Sequence, residues 1–232
     1  MGNGKLDIMR FFSLATVVAV TLLASIDRAG AQTLTAPDEV VIYVHKDLKD
    51  TDFVDGLVCE LGRVLVAPVR TETSDMPLYR SYLATQTQLD VEKLSAPFAQ
   101  ATATGERVFR YLLLPYDLKS AGLNYVFANT TLDGPTVAIM STIRLIPRDA
   151  GLSRKRVSDV TGDRVYKLML KSVALLAGLR SEGCIMKFPR NLPELDEKPA
   201  EFCPPDRAAL VAAGVLKDKP FGACNTVAMA IR

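Results

Sequence analysis

The sequence predicts an α+β domain, and three observations carry that reading. Residues 40–45 and 108–114 are short, strongly apolar runs bounded by turn-forming residues, as buried strands are. Residues 164–179 repeat apolar side chains at helical spacing over several turns. Between them, segments 125–131 and 136–146 are strand-like and are joined by Leu132, Asp133, Gly134 and Pro135, a hairpin signal. A chain of 232 residues, 49% of them hydrophobic, is long enough for one domain with a sizeable core, and no internal repeat divides it.

Residues 1–31 read as a secretory signal peptide. Lys5 and Arg10 make its positive start, residues 11–26 its apolar centre, and Ala29, Gly30 and Ala31 the small residues of a cleavage site before Gln32. The apolar run is about 16 residues, short of the ~20 that a membrane span needs; a retained anchor is the other reading of this segment. Cleavage after Ala31 places the remaining chain, 32–232, in the periplasm or outside the cell, with no membrane partner.

Residues 40–45 form the first strand. Asp50, Thr51 and Asp52 offer an N-cap to a helix whose buried face is marked by Phe53, Leu57, Leu61 and Leu65. A strand follows over 64–71, where Pro68 points to an edge position or an end, and 71–77 is a loop. Residues 78–104 are a helical region interrupted at Pro97 and broken at Gly105, with Leu83, Leu89, Val91, Leu94 and Phe98 as its apolar contacts. The strand at 108–114 is stopped by Pro115. Residues 147–159 are a polar, basic loop, and Asp159, Thr161 or Asp163 caps the long helix that follows. In that helix Val165, Leu168, Met169, Val173, Leu176 and Leu179 recur at helical spacing, thickened by Leu170, Leu175 and Ala177. Gly178 weakens its end, and Ser181, Glu182 and Gly183 form a turn before a proline-rich segment. Pro204, Pro205 and Asp206 start a short helix over 207–213 that ends at Gly214, and 226–231 is a final strand.

Composition removes several function classes. The formal net charge is +2, Trp is absent, and no basic residues interleave with aromatics, so a nucleic-acid partner is not expected. Arg154, Lys155 and Arg156 form the one small basic run, read as a solvated loop. His45 is the sole histidine, at the end of an apolar run, and reads as a strand-end side chain; a three-histidine metal site is excluded by count. Four cysteines behind a signal peptide argue for disulfides, with three pairings open.

The stretch from Arg164 to Cys203 resembles the active-site region of the archaemetzincins, a family of zinc-dependent metalloproteases. Gly178 and Leu179 match the glycine turn that ends the HExxHxxGxxH helix. Cys184, Ile185 and Met186 match the Met-turn, and Leu195, Asp196, Glu197, Lys198, Phe202 and Cys203 the segment beyond it. Upstream, Tyr116, Asp117 and Leu118, then segments 122–127 and 139–145, resemble the strands ahead of that helix. The likeness covers about residues 40–215. It implies a metzincin-like α+β domain: a twisted mixed sheet with an antiparallel edge strand, packed by helices, and an irregular C-terminal subdomain. In this family the edge strand holds a peptide by strand addition, so the resemblance implies a peptide or protein partner there.

The same resemblance places Lys171 at the first histidine, Ser172 at the catalytic glutamate, Leu175 at the second histidine and Ser181 at the third, with Met186 as the floor of the site. A protonated lysine cannot ligate zinc, leucine has no lone pair to give, and serine cannot replace the glutamate as general base. The motif is degenerate: no catalytic set is intact, and no metal is expected there. The family also implies a second zinc on four cysteines. Cys184 and Cys203 match the middle two, while Glu182 and Asp206 stand near the others, so a residual structural zinc is the lesser reading. The greater is a disulfide, Cys184–Cys203, because both residues would line one zinc site, which leaves Cys59–Cys224. Closing a loop of ~20 residues contributes about 3 kcal/mol, a staple in place of the metal.

Three functions follow as expectations. The first is a pseudo-metalloprotease that binds a peptide or protein without cutting it. The second is a hydrolase with non-zinc chemistry from Lys171 with Ser172 or Ser181, although adjacent helix positions point ~100° apart. The third is a structural envelope protein. On the first and third readings Lys171 is solvated or ion-paired. The sequence leaves the oligomeric state open.

Overall fold

The central strands are buried on both faces, which is why they read as continuous apolar runs rather than as alternating ones. The structure, a computed structural model, describes residues 33–224 apart from 104, 106, 133 and 221. In chain order its elements are β1 (Glu39–His45), α1 (Val54–Val64), β2 (Val69–Ser74), β3 (Gln88–Asp90), α2 (Val91–Ala101), β4 (Val108–Leu114), β5 (Asp117–Lys119), β6 (Ala128–Thr130), β7 (Val137–Ser141), α3 (Arg154–Leu176), α4 (Leu192–Glu197) and α5 (Pro204–Ala212). The main sheet has five strands in the order β2-β1-β4-β7-β6; β3 and β5 make a separate pair. All neighbours in the main sheet are parallel except β6, which runs antiparallel to β7 at the edge. This is the mixed sheet with an antiparallel edge strand that the resemblance implies. The described residues belong to one compact unit.

Alternation along each strand fills two cores. Val40 and Ile42 of β1, Phe109, Tyr111 and Leu113 of β4, and Ala138 and Met140 of β7 pack with α1 and α3. Val41 and Tyr43, Leu112 and Leu114, and Val137 and Ile139 pack on the opposite face with Val91, Leu94 and Phe98 of α2. The apolar stripe of α3 is thereby buried against the sheet. His45 closes β1 as a buried strand-end residue: its Nε2 lies 3.0 Å from the Met76 carbonyl.

Several boundaries differ from those the sequence predicts. The helix α1 begins at Val54 after Phe53, with no side-chain cap, because Asp52 is bonded instead to Arg154. The next strand starts at Val69, not 64, and runs on to Ser74, through what is expected as loop; Val64 still belongs to α1. The region 78–104 is not one helix. A 3-10 turn, Arg80–Tyr82, and the short β3 precede α2, which Asp90 caps by accepting from the Glu92 and Lys93 amides. Pro97 lies inside α2 without interrupting it, since the burial of Val91, Leu94 and Phe98 outweighs the ~3 kcal/mol that an interior proline costs. The hairpin strands are shorter than expected, with β6 and β7 covering only 128–130 and 137–141.

The basic run departs furthest from expectation. Residues 154–159 are not loop: α3 begins at Arg154, and the Ser153 Oγ accepts from the Arg156 amide as its cap. Cations in a first helical turn oppose the helix dipole. The Arg154–Asp52 pair and the Lys155–Asp159 pair, the latter at 3.0 Å, offset this locally. The last helix spans Pro204–Ala212, starting at the prolines as the sequence predicts. The expected signal peptide, 1–31, and the expected strand at 226–231 lie outside the described residues, as does Asp133 of the hairpin turn. Among the described residues no helix is long and apolar enough to cross a membrane.

Tyr111 is fully buried, and its hydroxyl has no hydrogen-bond partner. An unmade bond at a buried polar group costs ~1–3 kcal/mol. Tyr111→Phe is therefore expected to leave the thermal midpoint unchanged or to raise it, as read by circular dichroism; a fall of several degrees would show a partner that the hydroxyl needs.

Candidate functional site

The C-terminal half of α3 and the chain that folds back across it form the candidate site. The helix stops by a Schellman pattern: the Gly178 amide donates to the Leu175 carbonyl at 3.0 Å, and the Leu179 amide to the Ala174 carbonyl at 2.9 Å. Gly178 takes φ +102°, and a Cβ there would lie 3.3 Å from the Thr33 carbonyl oxygen, so this stop requires glycine. The chain then turns through Ser181, whose Oγ donates to Asp206 at 2.7 Å. A single 3-10 turn, Cys184–Met186, follows, with Ile185 and Met186 buried beneath α3. The Ile185 amide donates to the Glu201 carbonyl at 3.0 Å, tying this turn to the segment before α5.

Two disulfides are present, Cys184–Cys203 and Cys59–Cys224, and no cysteine is free. The first staples the Met-turn to the start of α5; the second joins α1 to the residues after α5. A Cβ on Gly183 would come within 2.9 Å of the Cys203 Sγ, so the disulfide fits only against a glycine.

Arg164, Lys167 and Lys171 follow one another on one face of α3, at the three- and four-residue spacing that makes helix neighbours. The chain at 188–198 lies along this face. Arg164 is buried and donates to both oxygens of Asp196 at 2.7 Å and to the Leu145 carbonyl at 2.6 Å. The Arg164 guanidinium holds the Asp196 carboxyl below its ordinary range, against the opposing effect of burial. Lys167 pairs with Asp163 at 3.0 Å and donates to the Asp196 carbonyl at 3.0 Å. Further along, the acceptors run out. Lys171 is half-buried, with its Nζ 5.3 Å from the centre of the Phe188 ring, and burial lowers its pKa. Among the described residues no carboxylate pairs with it, and it keeps partial access to solvent. Lys198 is 5% exposed, its Nζ has no hydrogen-bond partner, and its pKa is pushed down to about 7 by burial first and then by the charges of Lys171 and Lys167.

The other motif positions are structurally occupied. Ser172 is 3% exposed, and its hydroxyl accepts from the Thr130 hydroxyl of β6 at 2.9 Å. That bond spans the space between edge strand and helix. Leu175 packs against the first core. Ser181 is committed to Asp206. Neither serine is a free nucleophile beside Lys171, and the one histidine lies at the end of β1. These residues do not fit a zinc ion: Lys171, Ser172, Leu175 and Ser181 supply no ligand set, and disulfide sulfurs are not thiolates. Among the described residues no group of three His, Cys, Asp or Glu is placed to hold a metal. A groove of about 1320 Å³ between α1 and α3 is lined by residues such as Asp55, Glu60, Asp163 and Tyr166, and by none of Lys171, Ser172, Leu175 and Ser181.

The edge strand is open on one side. The Ser141 amide donates to the Phe127 carbonyl, and the Thr131 amide to the Val137 carbonyl. By alternation along an antiparallel pair, the backbone groups of Ala128 and Thr130 turn away from β7 to the outer edge, where no described strand pairs with them.

No family model matches the chain. It is 32% identical over 89 residues to the archaemetzincin of Archaeoglobus fulgidus, covering 38% of this chain and 50% of that one. Against the archaemetzincin of Halobacterium salinarum it is 35% identical over 95 residues, covering 39% and 54%. Solved structures with the same fold include the archaemetzincin of Methanopyrus kandleri, with a TM-score of 0.61 at 22% identity over 75% of this chain and 94% of that one. A zinc-dependent peptidase of Methanocorpusculum labreanum has a TM-score of 0.63 at 23% identity, over 74% and 99%. The chain is archaemetzincin-like. Its sequence match spans about half the length of the curated relatives, while the fold extends over nearly all of the solved structures.

Within this archaemetzincin-like frame the sequence alone points to the degenerate positions but gives Lys167 and Phe188 no role and Lys198 only a place in the motif match. Lys167 and Lys171 carry a signal, two lysines four apart in the apolar C-terminal half of the helix. Lys198 carries none, since its burial depends on how the later chain folds back. The helix α4 also goes unpredicted, although Asn191 and Glu194 stand at capping-box spacing and are bonded at 2.9 Å.

The buried lysine and the glycine beside the disulfide can each be tested. A lysine whose native pKa is lowered loses its proton more readily folded than unfolded. The folded state is therefore penalised at and below pH ~7, and the penalty fades as pH rises towards ~10.4. Lys198→Met is expected to raise stability by a few kcal/mol at pH 6, at ~1.4 kcal/mol per unit of displacement, and by much less at pH 10, as read by denaturant titration at the two pH values. Gly183→Ala is expected to lower the thermal midpoint of the oxidised protein and to lower it less after reduction, since the added methyl meets the disulfide sulfur.

Proposed function

We propose that this chain is an exported, secreted or periplasmic, archaemetzincin-like protein that binds a peptide or protein segment along the outer edge of β6 and does not hydrolyse it. The observation that carries the reading is the combination at α3. The frame is kept, with its Schellman stop, Met-turn and open antiparallel edge. The positions where the resemblance places ligands and base hold Lys171, Ser172, Leu175 and Ser181, each tied into packing, a hydrogen bond or an aromatic contact. The names archaemetzincin and zinc-dependent peptidase belong to the relatives; what carries over here is the peptide-holding geometry, not the metal chemistry.

Export is supported by two disulfides in a chain of this size, which persist in oxidising compartments, and by the signal-like composition of residues 1–31. Strand addition is supported by the outward backbone of Ala128 and Thr130. Neither a nucleic acid nor, after signal cleavage, a membrane belongs to this reading.

The test uses the full chain secreted into an oxidising compartment. Metal content, free thiols, cleavage of a casein peptide digest with and without added zinc, and capture of peptides from an immobilised library are measured on one sample. The expected result is no stoichiometric zinc, no free thiol, no cleavage, and capture of a subset of peptides. Ala128→Pro, which removes an outward amide without touching the β7 ladder, is expected to weaken that capture at least tenfold. Zinc-dependent cleavage, or capture unaffected by Ala128→Pro, would overturn the proposal.

A further inference from the structure

The proposed peptide-binding role leaves one feature of the site without a task. Lys198 is a nearly fully buried cation with no partner, and natural proteins pair such groups or do without them. Its neighbours make the absence sharper. The nearby carboxylates are engaged elsewhere, Asp196 with Arg164 and Asp163 with Lys167. The remaining charges that act on Lys198 are both cationic, Lys171 and Lys167. Lys171 likewise pairs with no carboxylate among the described residues; its Nζ lies over the face of Phe188 and is not closed off from solvent. Two ammonium groups without a carboxylate partner thus act on one another, Lys198 buried and Lys171 beside Phe188, which is 54% exposed and marks the surface end of the cluster. By itself the arrangement is destabilising. An anion would pair both ammonium groups and supply the hydrogen bonds that they lack.

We infer that Lys198 and Lys171 form a binding site for a carboxylate, with Phe188 as its aromatic lip, at the helix position where the archaemetzincin frame would begin its metal-binding motif. The inference rests on the peptide-binding reading and deepens it: the ligand is a peptide carboxylate, at the C-terminus or on an acidic side chain. A metal-binding frame holds a cation and turns electron-rich groups towards it. Here the fixed charge is positive and belongs to the protein, so the complementary ligand is negative. Lys198 titrates near neutrality, with Lys171 and Lys167 beside it and Asp163, Asp196 and Arg164 already paired to one another or to Lys167. Binding therefore takes up a proton, and is strong below pH ~7 and weaker above it.

The probes are N-acetylalanine, which presents a C-terminal carboxylate, N-acetylglutamate α-amide, which presents a side-chain carboxylate, and N-acetylalanine amide as the neutral control. Each is titrated into the full chain at pH 6 and pH 8.5, with binding read by calorimetry and the lysine side-chain signals followed by nuclear magnetic resonance. One or both acids are expected to bind at least tenfold more tightly than the amide at pH 6, to weaken about tenfold per pH unit above neutrality, and to raise the titration midpoint of Lys198. Which acid binds better identifies the source of the carboxylate. Lys198→Met, which removes a buried charge and keeps the fold, and Lys171→Met are each expected to abolish the preference for acid over amide. Equal binding of acid and amide, or a preference that survives both substitutions, would overturn the inference. Ala128→Pro separates the two readings. If the unmutated chain captures no peptide, or Ala128→Pro leaves capture unchanged, while small carboxylates still bind at Lys198, the strand-addition role falls and the carboxylate site stands. If peptides are captured equally well by Lys198→Met, the reverse holds.

Discussion

The buried guanidinium of Arg164 holds the second half of this structure together. It lies on α3, largely removed from solvent, and donates at once to the loop after β7 through Leu145 and to both oxygens of Asp196 at the end of α4. Three segments distant in sequence converge on one planar fork, a geometry that arginine supplies and lysine does not. With this fork in place, the chain after the helix is drawn along α3, and Lys167, Lys171 and Lys198 are brought into one cluster. The Cys184–Cys203 disulfide fixes the other end of the same segment. The site is therefore a product of one ion pair and one covalent staple acting on an otherwise irregular stretch.

This arrangement shows how an archaemetzincin-like frame remains folded around residues that do not fit a metal. Zinc would cross-link helix and turn through its ligands. Here the same elements are tied by other means: Ser181 to Asp206, Ser172 to Thr130 of the edge strand, and cysteine to cysteine where the resemblance implies thiolate ligands. Each tie is local and needs no cofactor. The exception is Lys198, buried without a hydrogen-bond partner and with Lys171 as a like charge near it. A cluster that costs stability and does not tie elements together points to a ligand rather than to the fold.

Much of the architecture is legible because its signals are local. The strands β1 and β4 are continuous apolar runs, the stripe of α3 repeats over many turns, and the glycine stop at Gly178 stands in the sequence as such. Weak or non-local signals mislead. The three-residue strands β3, β5 and β6 are too short for any periodicity to emerge. Pro97 reads as a break because local propensity forbids it, and only burial of the helix face overrides that. The basic run at 154–156 looks like loop because its partner, Asp52, lies about a hundred residues away.

By itself the sequence determined the class of the fold, the long helix, and the loss of the histidines and glutamate that the resemblance would place on it, since those depend on residue identity and short-range spacing. Tertiary structure alone decided what took their place. That Ser172 is sealed under Thr130, that Ser181 is spent on Asp206, and that Lys198 is buried without an acceptor beside Lys171 are consequences of distant segments meeting. Desolvation and pairing are properties of a three-dimensional neighbourhood, and no spacing along the chain encodes them.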